Sequence, residues 1–194
     1  MSRRRRSIAP KPSTAGRPGS CYRCGLPFSY YARLSPRDKD TYRRSDAIAQ
    51  VRLPHPDLLR PLAEGLRIAL EADDRAAVTL ASRNLVQGLT LMLEAPPVSV
   101  EVLPVRPSLR GSGELHGLYT ADPGRPPRIQ VWMRTVKQRR VVAFRTFLRT
   151  LLHEVCHHLD YTHLKLPESF HTEGFFKRES SLFRQVVGEA PDRA

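Results

Sequence analysis

Residues 151–176 read LLHEVCHHLDYTHLKLPESFHTEGFF and contain five of the seven histidines in the chain. His153 and His157 are four residues apart, and Glu154 directly follows the first of them. Residues at this spacing lie on one face of an α-helix, about 5–6 Å from one another, so both imidazoles can point at one metal ion. Apolar residues at helical spacing accompany the motif: Phe144, Phe147, Leu148, Leu151, Leu152 and Val155. The stretch therefore predicts a buried helix that carries a metal site.

A third protein ligand is expected after this helix. His171 follows His157 by fourteen residues and comes after a proline, where the chain can leave the helix and fold back over the site. Glu173 and Glu168 are alternatives, because zinc also accepts a carboxylate ligand. Three protein ligands leave the fourth position of a tetrahedral zinc ion open for water. We predict a Zn²⁺ site formed by His153, His157 and His171.

Glu154 is predicted to act as a base and not as a ligand. Within the pattern H-E-x-x-H, the carboxylate projects toward the open position of the metal. There it can take a proton from a bound water molecule, which then attacks a carbonyl carbon. The pattern therefore predicts hydrolysis of peptide bonds in a protein or peptide substrate.

The remaining polar residues of this stretch are predicted to lie outside the ligand set. His158 and His163 are expected either to support the ligands or to face solvent. Asp160, three residues after His157, is expected either to hydrogen-bond a ligand imidazole or to be a surface carboxylate. Cys156 is expected to be a small core residue.

The rest of the chain predicts an α+β fold around the metal-site helix. Helical apolar spacing predicts four helices, from Pro56 to Leu70, from Asp73 or Asp74 to Ala95, at about 138–161 and at about 173–187. Alternating apolar residues predict three short strands, at 98–105, 114–121 and 128–135. The predicted order is two helices, a small three-stranded sheet, the metal-site helix and a C-terminal helix.

The segment LLHEVCHH resembles the active-site helix of the SprT-like metallopeptidases, which include the Spartan type of DNA-dependent protease. That family commonly has H-E-x-C-H followed by a later H-G-x-x-F. His171 and Phe175 reproduce the His and Phe of the second element at the same separation, and Thr172 stands in place of its Gly. The resemblance covers about residues 57–187. It implies a compact zincin-like fold, zinc bound by the three histidines, Glu154 as base, and proteolysis of proteins close to DNA.

Residues ahead of the resembling region fall into two parts. Residues 1–20 combine RRRR with Pro, Gly and Ser, and are predicted to be a disordered basic arm. Residues 21–55 begin with Cys21 and Cys24 in a C-x-x-C, and predict either a small metal-stabilised knuckle or a loosely ordered linker whose aromatic residues pack on the main domain. Two cysteines supply half of a zinc site, so His55 or a second chain would have to complete it; the alternative is a structural thiol pair. The metallopeptidase domain is predicted at 56–188, with a disordered tail at 189–194.

The net charge of +13 is concentrated in two places. Residues 1–44 contain twelve Lys and Arg against two Asp, and residues 134–149 contain six basic residues and no acid. Such concentrations attract nucleic acids through release of counterions, and Arg grips phosphate with two parallel hydrogen bonds. The alternative is an arginine-rich surface, because 27 of the 32 basic residues are Arg. The candidate DNA contacts are Arg3, Arg4, Arg5, Arg6, Arg139 and Arg140.

Composition places the chain among globular proteins, since 40% of its residues are hydrophobic and 26% are charged. It lacks an apolar run of about 18 residues, and its basic start is followed by Pro, Ser and Gly where an export signal is apolar. We therefore expect a cytoplasmic, nucleoid-associated monomer with no membrane contact. Two alternatives stay open: a zinc peptidase that cleaves a specific regulator without DNA, and a non-catalytic zinc protein that binds nucleic acid.

Overall fold

A computed structural model of the chain describes residues 28–109 and 113–189. Within these ranges the helices are α1 (Pro36–Asp46), α2 (Arg60–Glu71), α3 (Arg75–Met92), α4 (Phe144–Thr162) and α5 (Glu173–Val187). The strands are β1 (Ser99–Val105), β2 (Ser108–Leu109), β3 (Gly113–Glu114), β4 (Gly117–Thr120) and β5 (Arg128–Arg134). Short 3-10 turns occur at Tyr31–Arg33 and, directly before α2, at Pro56–Leu59. The predicted α+β class and the small three-stranded sheet are confirmed.

The three-stranded sheet has the order β1-β5-β4. Strand β1 runs parallel to β5, with Val100 opposite Ile129, and β4 runs antiparallel to β5, with Gly117 opposite Val131. Ile129, Val131 and Met133 alternate along β5, share one face and are fully buried. Helix α3 packs on β1, while α4 packs on β4 and β5. Because β5 has a neighbour on both sides, β1 and β4 are the two edges of this sheet.

The two edges of the sheet differ in how they are covered. At β1, Arg75 donates a hydrogen bond to the carbonyl of Val102 (3.3 Å), and Arg83 donates one to the carbonyl of Val100 (2.9 Å). These guanidinium groups occupy acceptors that an added strand would need. Strand β4 lies instead beside α4. The sheet therefore brings one of its edges to the helix that carries the histidine motif.

The predicted strand at 114–121 is two strands in the structure. Glu114 pairs with Ser108 in the small hairpin formed by β2 and β3, whereas Gly117–Thr120 pairs with β5. The prediction of one continuous strand is wrong because the chain changes its pairing partner between Glu114 and Gly117.

Helix α4 begins at Phe144, later than the predicted start near residue 138. The amide of Thr135 donates to the carbonyl of Arg140 (3.0 Å), and the amide of Val142 donates to the carbonyl of Met133 (2.8 Å). Arg139, at the tip of this turn, has a positive φ of 49°. The segment 136–142 therefore extends the end of β5 as a turn, because its backbone groups pair across the turn and not along a helix. After Phe144 the helix follows the prediction and buries Phe147, Leu148, Leu151, Leu152, Val155 and Leu159.

Helix α1 was not predicted from the sequence. Ser35 caps its first turn by accepting a hydrogen bond from the amide of Asp38 (3.2 Å), and Pro36 occupies the first helical position. The residues that α1 buries are Thr41, Tyr42 and Ser45, so it has no run of apolar residues at helical spacing. It packs against α5, which attaches residues 28–48 to the body that holds the histidine motif. None of the helices in the described part of the chain is long and apolar enough to cross a membrane.

Candidate metal centre

Three histidine side chains converge at one point on α4. His153 and His157 lie one helical turn apart with ring centroids 4.9 Å from each other. His171 lies in the segment between α4 and α5, and its Nε2 is 3.0 Å from Nε2 of His153 and 3.0 Å from Nε2 of His157. In the described ranges this is the one group of His, Cys, Asp and Glu side chains whose arrangement could hold a metal ion. The structure thus brings the three predicted ligands together.

The other nitrogen of each helical histidine has an acceptor, which fixes the tautomer. Nδ1 of His153 lies 3.0 Å from a carboxylate oxygen of Glu179, so Nδ1 carries the proton. Nδ1 of His157 lies 2.7 Å from the hydroxyl of Ser169, which itself donates to Asp160 (2.7 Å) and must therefore accept from His157. Both imidazoles, when neutral, consequently direct a bare lone pair on Nε2 toward His171.

This donor set fits a cation and does not fit a network of hydrogen bonds. A single proton on Nε2 of His171 can satisfy only one of the two lone pairs that face it. A tetrahedral metal ion bound at about 2.0–2.1 Å holds its nitrogen ligands about 3.4 Å apart, close to the 3.0 Å separations here. The chemistry of the three nitrogens therefore matches a bound metal ion.

The protonation behaviour of two of the three imidazoles favours metal binding near neutral pH. Burial, followed by the charges of His153 and His171, lowers the pKa of His157 well below its ordinary value. Burial and the charge of His153 lower the pKa of His171 to about 4. Burial alone would lower the pKa of His153, but the hydrogen bond that it donates to Glu179 and the nearby carboxylate charges outweigh burial and raise the pKa. His157 and His171 are thus neutral and ready to bind, whereas His153 holds a proton until higher pH.

Metal affinity should fall on acidification in two steps. Below the pKa of His153, which lies above the ordinary value of 6.5, binding must release one proton. A second proton is released only near pH 4, where His171 becomes protonated. We expect the Kd for Co²⁺ to increase on acidification below the first pKa and to increase more steeply near pH 4. A chelator-competition titration across pH measures this.

Glu179→Gln is the matched variant for the pH experiment. It removes the charge that raises the pKa of His153 and leaves burial, which lowers that pKa. The first step should therefore move to more acidic pH in this variant. An onset at the same pH as in the wild type would contradict the assignment of Glu179 as the partner of His153.

Glu154 lies beside the cluster and outside it. Glu154 is 6% exposed, and its carboxylate accepts a hydrogen bond from the backbone of Tyr119. Among the described residues, no Lys or Arg forms an ion pair with this carboxylate. Burial raises its pKa to about 7, against the opposing charge of His153 and the Tyr119 hydrogen bond. A Cβ atom at Gly117 would lie 2.8 Å from Cγ of Glu154, so only glycine leaves room for this side chain. Strand β4 therefore shapes the position of the predicted base.

The alternative ligands lie elsewhere. Glu173 forms an ion pair with Lys177 (2.7 Å), and Glu168 is exposed and accepts from the hydroxyl of Tyr161 (3.4 Å). Neither carboxylate belongs to the group that could hold a metal. The geometry therefore favours His171 as the third ligand.

The neighbouring histidines have structural partners. His158 is fully buried, with Nε2 2.8 Å from the carbonyl of Pro96 and Nδ1 3.2 Å from the hydroxyl of Tyr119, so the expectation that it faces solvent is wrong. His163 is exposed, and its Nδ1 lies 3.1 Å from the carbonyl of Leu93. Cys156 is buried, as expected of a core residue.

Asp160 is fully buried, so its interpretation as a surface carboxylate is wrong. It accepts from Ser169, which holds His157, and pairs with the guanidinium of Arg178 (2.9 Å). Burial raises the pKa of Asp160 despite the opposing effects of Arg178 and Ser169. Asp160 therefore supports a ligand indirectly, through Ser169.

Sequence reasoning missed Glu179, Arg178 and Ser169. Glu179 and Arg178 occupy the apolar side of α5, where a charged residue needs a buried partner. Their spacing from Phe175 and Leu182 was a signal that could have identified them. Ser169 had no comparable signal, because it lies in a segment without regular structure.

Several predicted sites lie outside the described residues: Cys21, Cys24, Arg3, Arg4, Arg5 and Arg6. Arg139 and Arg140 are described and exposed, in the turn that precedes α4. Comparison of the chain with protein-family models, with curated proteins and with solved structures found no match.

Proposed function

We propose that this chain is a zinc-dependent metallopeptidase of the SprT-like type, which hydrolyses peptide bonds in proteins. The observation that carries the proposal is one cluster of three converging imidazole nitrogens with a buried carboxylate, Glu154, beside it. A structural metal site has no use for a carboxylate that is kept free of ion pairs at the open side of the metal. The resemblance of LLHEVCHH and of His171 and Phe175 to the SprT-like motifs supports the same conclusion.

Zinc is the metal that this donor set fits best. Three neutral imidazoles with a fourth position open for water form the arrangement of catalytic zinc. Cys156, the nearest thiol in sequence, lies outside the cluster, and burial raises its pKa well above the ordinary value. Bound at this site, zinc would lower the pKa of a water molecule to about 7 and polarise the carbonyl of a peptide bond.

Glu154 would take the proton of the attacking water and return it to the leaving amine. Burial gives its carboxyl a pKa of about 7 in the metal-free protein, which suits a group that both accepts and donates a proton near neutral pH. Glu179 and Ser169 would hold the two helical imidazoles in orientation while this happens. The protein thus contributes a base and a rigid ligand frame.

The substrate would bind as an added strand along β4. Strand β5 cannot accept an added strand because it is paired on both sides. The β1 edge is occupied by Arg75 and Arg83, whereas β4 passes Glu154 at Gly117. A peptide on β4 would therefore run past the proposed base. An extended peptide with a metal-binding group should slow the hydrogen exchange of backbone amides in Gly117–Thr120; unchanged exchange would rule out this mode.

Metal removal and restoration test the proposed activity. Purified protein treated with a chelator should lose cleavage of an unfolded protein such as casein, and one equivalent of zinc should restore it. Cleavage that survives full removal of the metal would refute the proposal. One bound zinc without any cleavage would favour the non-catalytic alternative.

DNA is the proposed partner of the peptidase, through the exposed turn before α4. The basic patch at 134–149 is smaller than its composition indicates, because Arg134 pairs with Asp73, Arg145 with Glu189 and Arg149 with Glu179. Lys137, Arg139 and Arg140 stay exposed. Single- or double-stranded DNA should stimulate cleavage at low salt, and the double substitution Arg139→Ala/Arg140→Ala should reduce this effect. Equal rates with and without DNA would favour a peptidase that acts without it.

A further inference from the structure

His171, the third histidine of the cluster, lies in a segment that is neither helix nor strand. Residues 163–172 between α4 and α5 contain no helix or strand, and Lys165 in this segment has a positive φ of 53°. His153 and His157, by contrast, are fixed by the backbone of α4. The position of His171 therefore depends on contacts that its segment makes with the rest of the chain.

One such contact is made by Tyr30 in the segment Phe28–Ile48, which we call the brace. The hydroxyl of Tyr30 donates a hydrogen bond of 2.7 Å to the backbone carbonyl of His171, across 141 positions of sequence. The ring of Tyr30 also stacks on Phe170, with centroids 6.5 Å apart and an interplanar angle of 29°. Tyr30 thus contacts both the third histidine and the residue before it.

The end of α1 holds the other side of the same segment. The amide of Gly174 donates to Oδ1 of Asp46 (2.8 Å), and the hydroxyls of Ser45 and Thr172 are 3.5 Å apart. A Cβ atom at Gly174 would lie 2.7 Å from the carbonyl oxygen of Ser45, so the two backbones are in close contact. Contacts with the brace therefore occur on both sides of His171.

A third contact reaches the imidazoles through Phe176. Phe28 in the brace packs on Phe176, with centroids 6.0 Å apart. Phe176 in turn stacks on the His171 ring at 5.7 Å and lies 6.2 Å from the His153 ring. The brace is thus connected to the cluster through a backbone carbonyl, a backbone amide and an aromatic ring.

We propose that the brace supports the metal centre through Tyr30, which is a positioning residue for His171. A ligand segment without regular structure samples several positions, and metal affinity falls in proportion to the fraction of molecules in the binding arrangement. The hydroxyl of Tyr30 raises that fraction by holding the His171 backbone before the metal arrives. This proposal rests on a metal occupying the three-histidine site, as in the proposed function, and does not depend on peptide hydrolysis.

The test uses the full chain with Co²⁺ as the probe, because the visible absorption of Co²⁺ reports the geometry of its ligands. Tyr30→Phe should weaken Co²⁺ binding about fivefold, the effect of losing one hydrogen bond, and should change the absorption spectrum of the bound ion. Tyr31→Phe is the matched control: this neighbouring ring contacts Tyr42 and Lys39, and its hydroxyl has no hydrogen bond in the described structure. It should bind Co²⁺ as the wild type does.

A second pair of variants distinguishes a loss of metal affinity from a general folding defect. Asp46→Ala removes the acceptor of the Gly174 amide and should weaken Co²⁺ binding, while Asp46→Asn keeps an oxygen there and should restore it. Wild-type affinity and spectrum in Tyr30→Phe, with only a lower Tm, would make Tyr30 a merely structural residue and overturn the proposal. A wild-type protein that binds no Co²⁺ would refute the metal centre itself. A protein that binds metal as expected but cleaves nothing would refute only the proposed peptidase activity.

Discussion

Glu154→Gln is expected to bind zinc with unchanged stoichiometry and to lose hydrolysis of an unfolded protein by about 10²–10⁴-fold, the usual contribution of a general base. Glutamine has almost the same shape, and its carbonyl oxygen can still accept the hydrogen bond from the backbone of Tyr119. The amide cannot take a proton from water, so the variant lacks the proposed base while the three histidines are unchanged. Metal content by mass spectrometry and initial cleavage rates measure the two effects separately.

Glu168→Gln is the control for this experiment. Glu168 is an exposed carboxylate on the segment that leads to His171, and it does not belong to the metal-binding group. Its substitution should leave both zinc content and the cleavage rate near the wild-type values. Wild-type cleavage by purified Glu154→Gln protein would show that another group acts as the base, and equal losses in both variants would show that the assay reports general carboxylate loss.

The histidine motif could be predicted because its geometry is local. The apolar residues of α4 predict the helix, and on a helix residues four apart, such as His153 and His157, lie on the same face. His171 was identified by its distance from the motif, and the structure brings it to the cluster. Thr172, which differs from the Gly of the SprT-like pattern, caps α5 by accepting a hydrogen bond from the amide of Phe175.

The start of α4 could not be predicted because tertiary pairing overrides local preference there. Residues 138–143, QRRVVA, are compatible with a helix, but hydrogen bonds across the turn involving Thr135 and Val142 hold them in place after β5. The break between β3 and β4 has the same origin, since pairing with a different strand decides it. The local sequence does not show with which segment of the chain a strand or turn will pair.

The residues that hold the three histidines in place could not be predicted for a different reason. Tyr30 and His171 are 141 residues apart, and His153 and Glu179 are 26 residues apart, so neither pair leaves a periodic trace in the sequence. Helix α1 buries hydroxyl groups of Thr41 and Ser45 in place of an apolar stripe, which is why its role in packing was missed. Charged residues on the apolar side of α5 were the available signal, and their buried partners could be named only from the structure.

Arg178 on α5 connects the end of α1 to α4, and its removal should destabilise the fold strongly. Its side chain is 1% exposed. One guanidinium nitrogen donates to the carbonyls of Ser45 and Ile48, both at 2.6 Å, at the end of α1. The other donates to the hydroxyl of Ser45 (3.0 Å) and to Asp160 (2.9 Å). Arg178 therefore joins the brace to the carboxylate that supports His157 through Ser169.

Arg178→Met is expected to lower the free energy of unfolding of the metal-free protein by about 3–5 kcal/mol, the cost of leaving one partner of a buried ion pair alone. Asp160 loses the cation and the hydrogen bond that lower its pKa, so burial raises that pKa further. A carboxyl with a raised pKa in the folded state takes up a proton on folding, and its contribution to stability is lost as pH rises toward that pKa. The deficit relative to the wild type should therefore be larger at about pH 8 than at about pH 5. Urea denaturation at the two pH values measures it.

Arg67→Met provides the matched exposed control, because Arg67 pairs with Glu64 and Glu71 on the surface of α2. Exposed pairs contribute little, so this substitution should cost far less stability than Arg178→Met at either pH. The double substitution Arg178→Met/Asp160→Asn removes the stranded charge and should recover part of the loss, with no remaining dependence on pH from this site. Equal losses for Arg178→Met and Arg67→Met, or a deficit that does not change with pH, would mean that Asp160 gains no stability from Arg178.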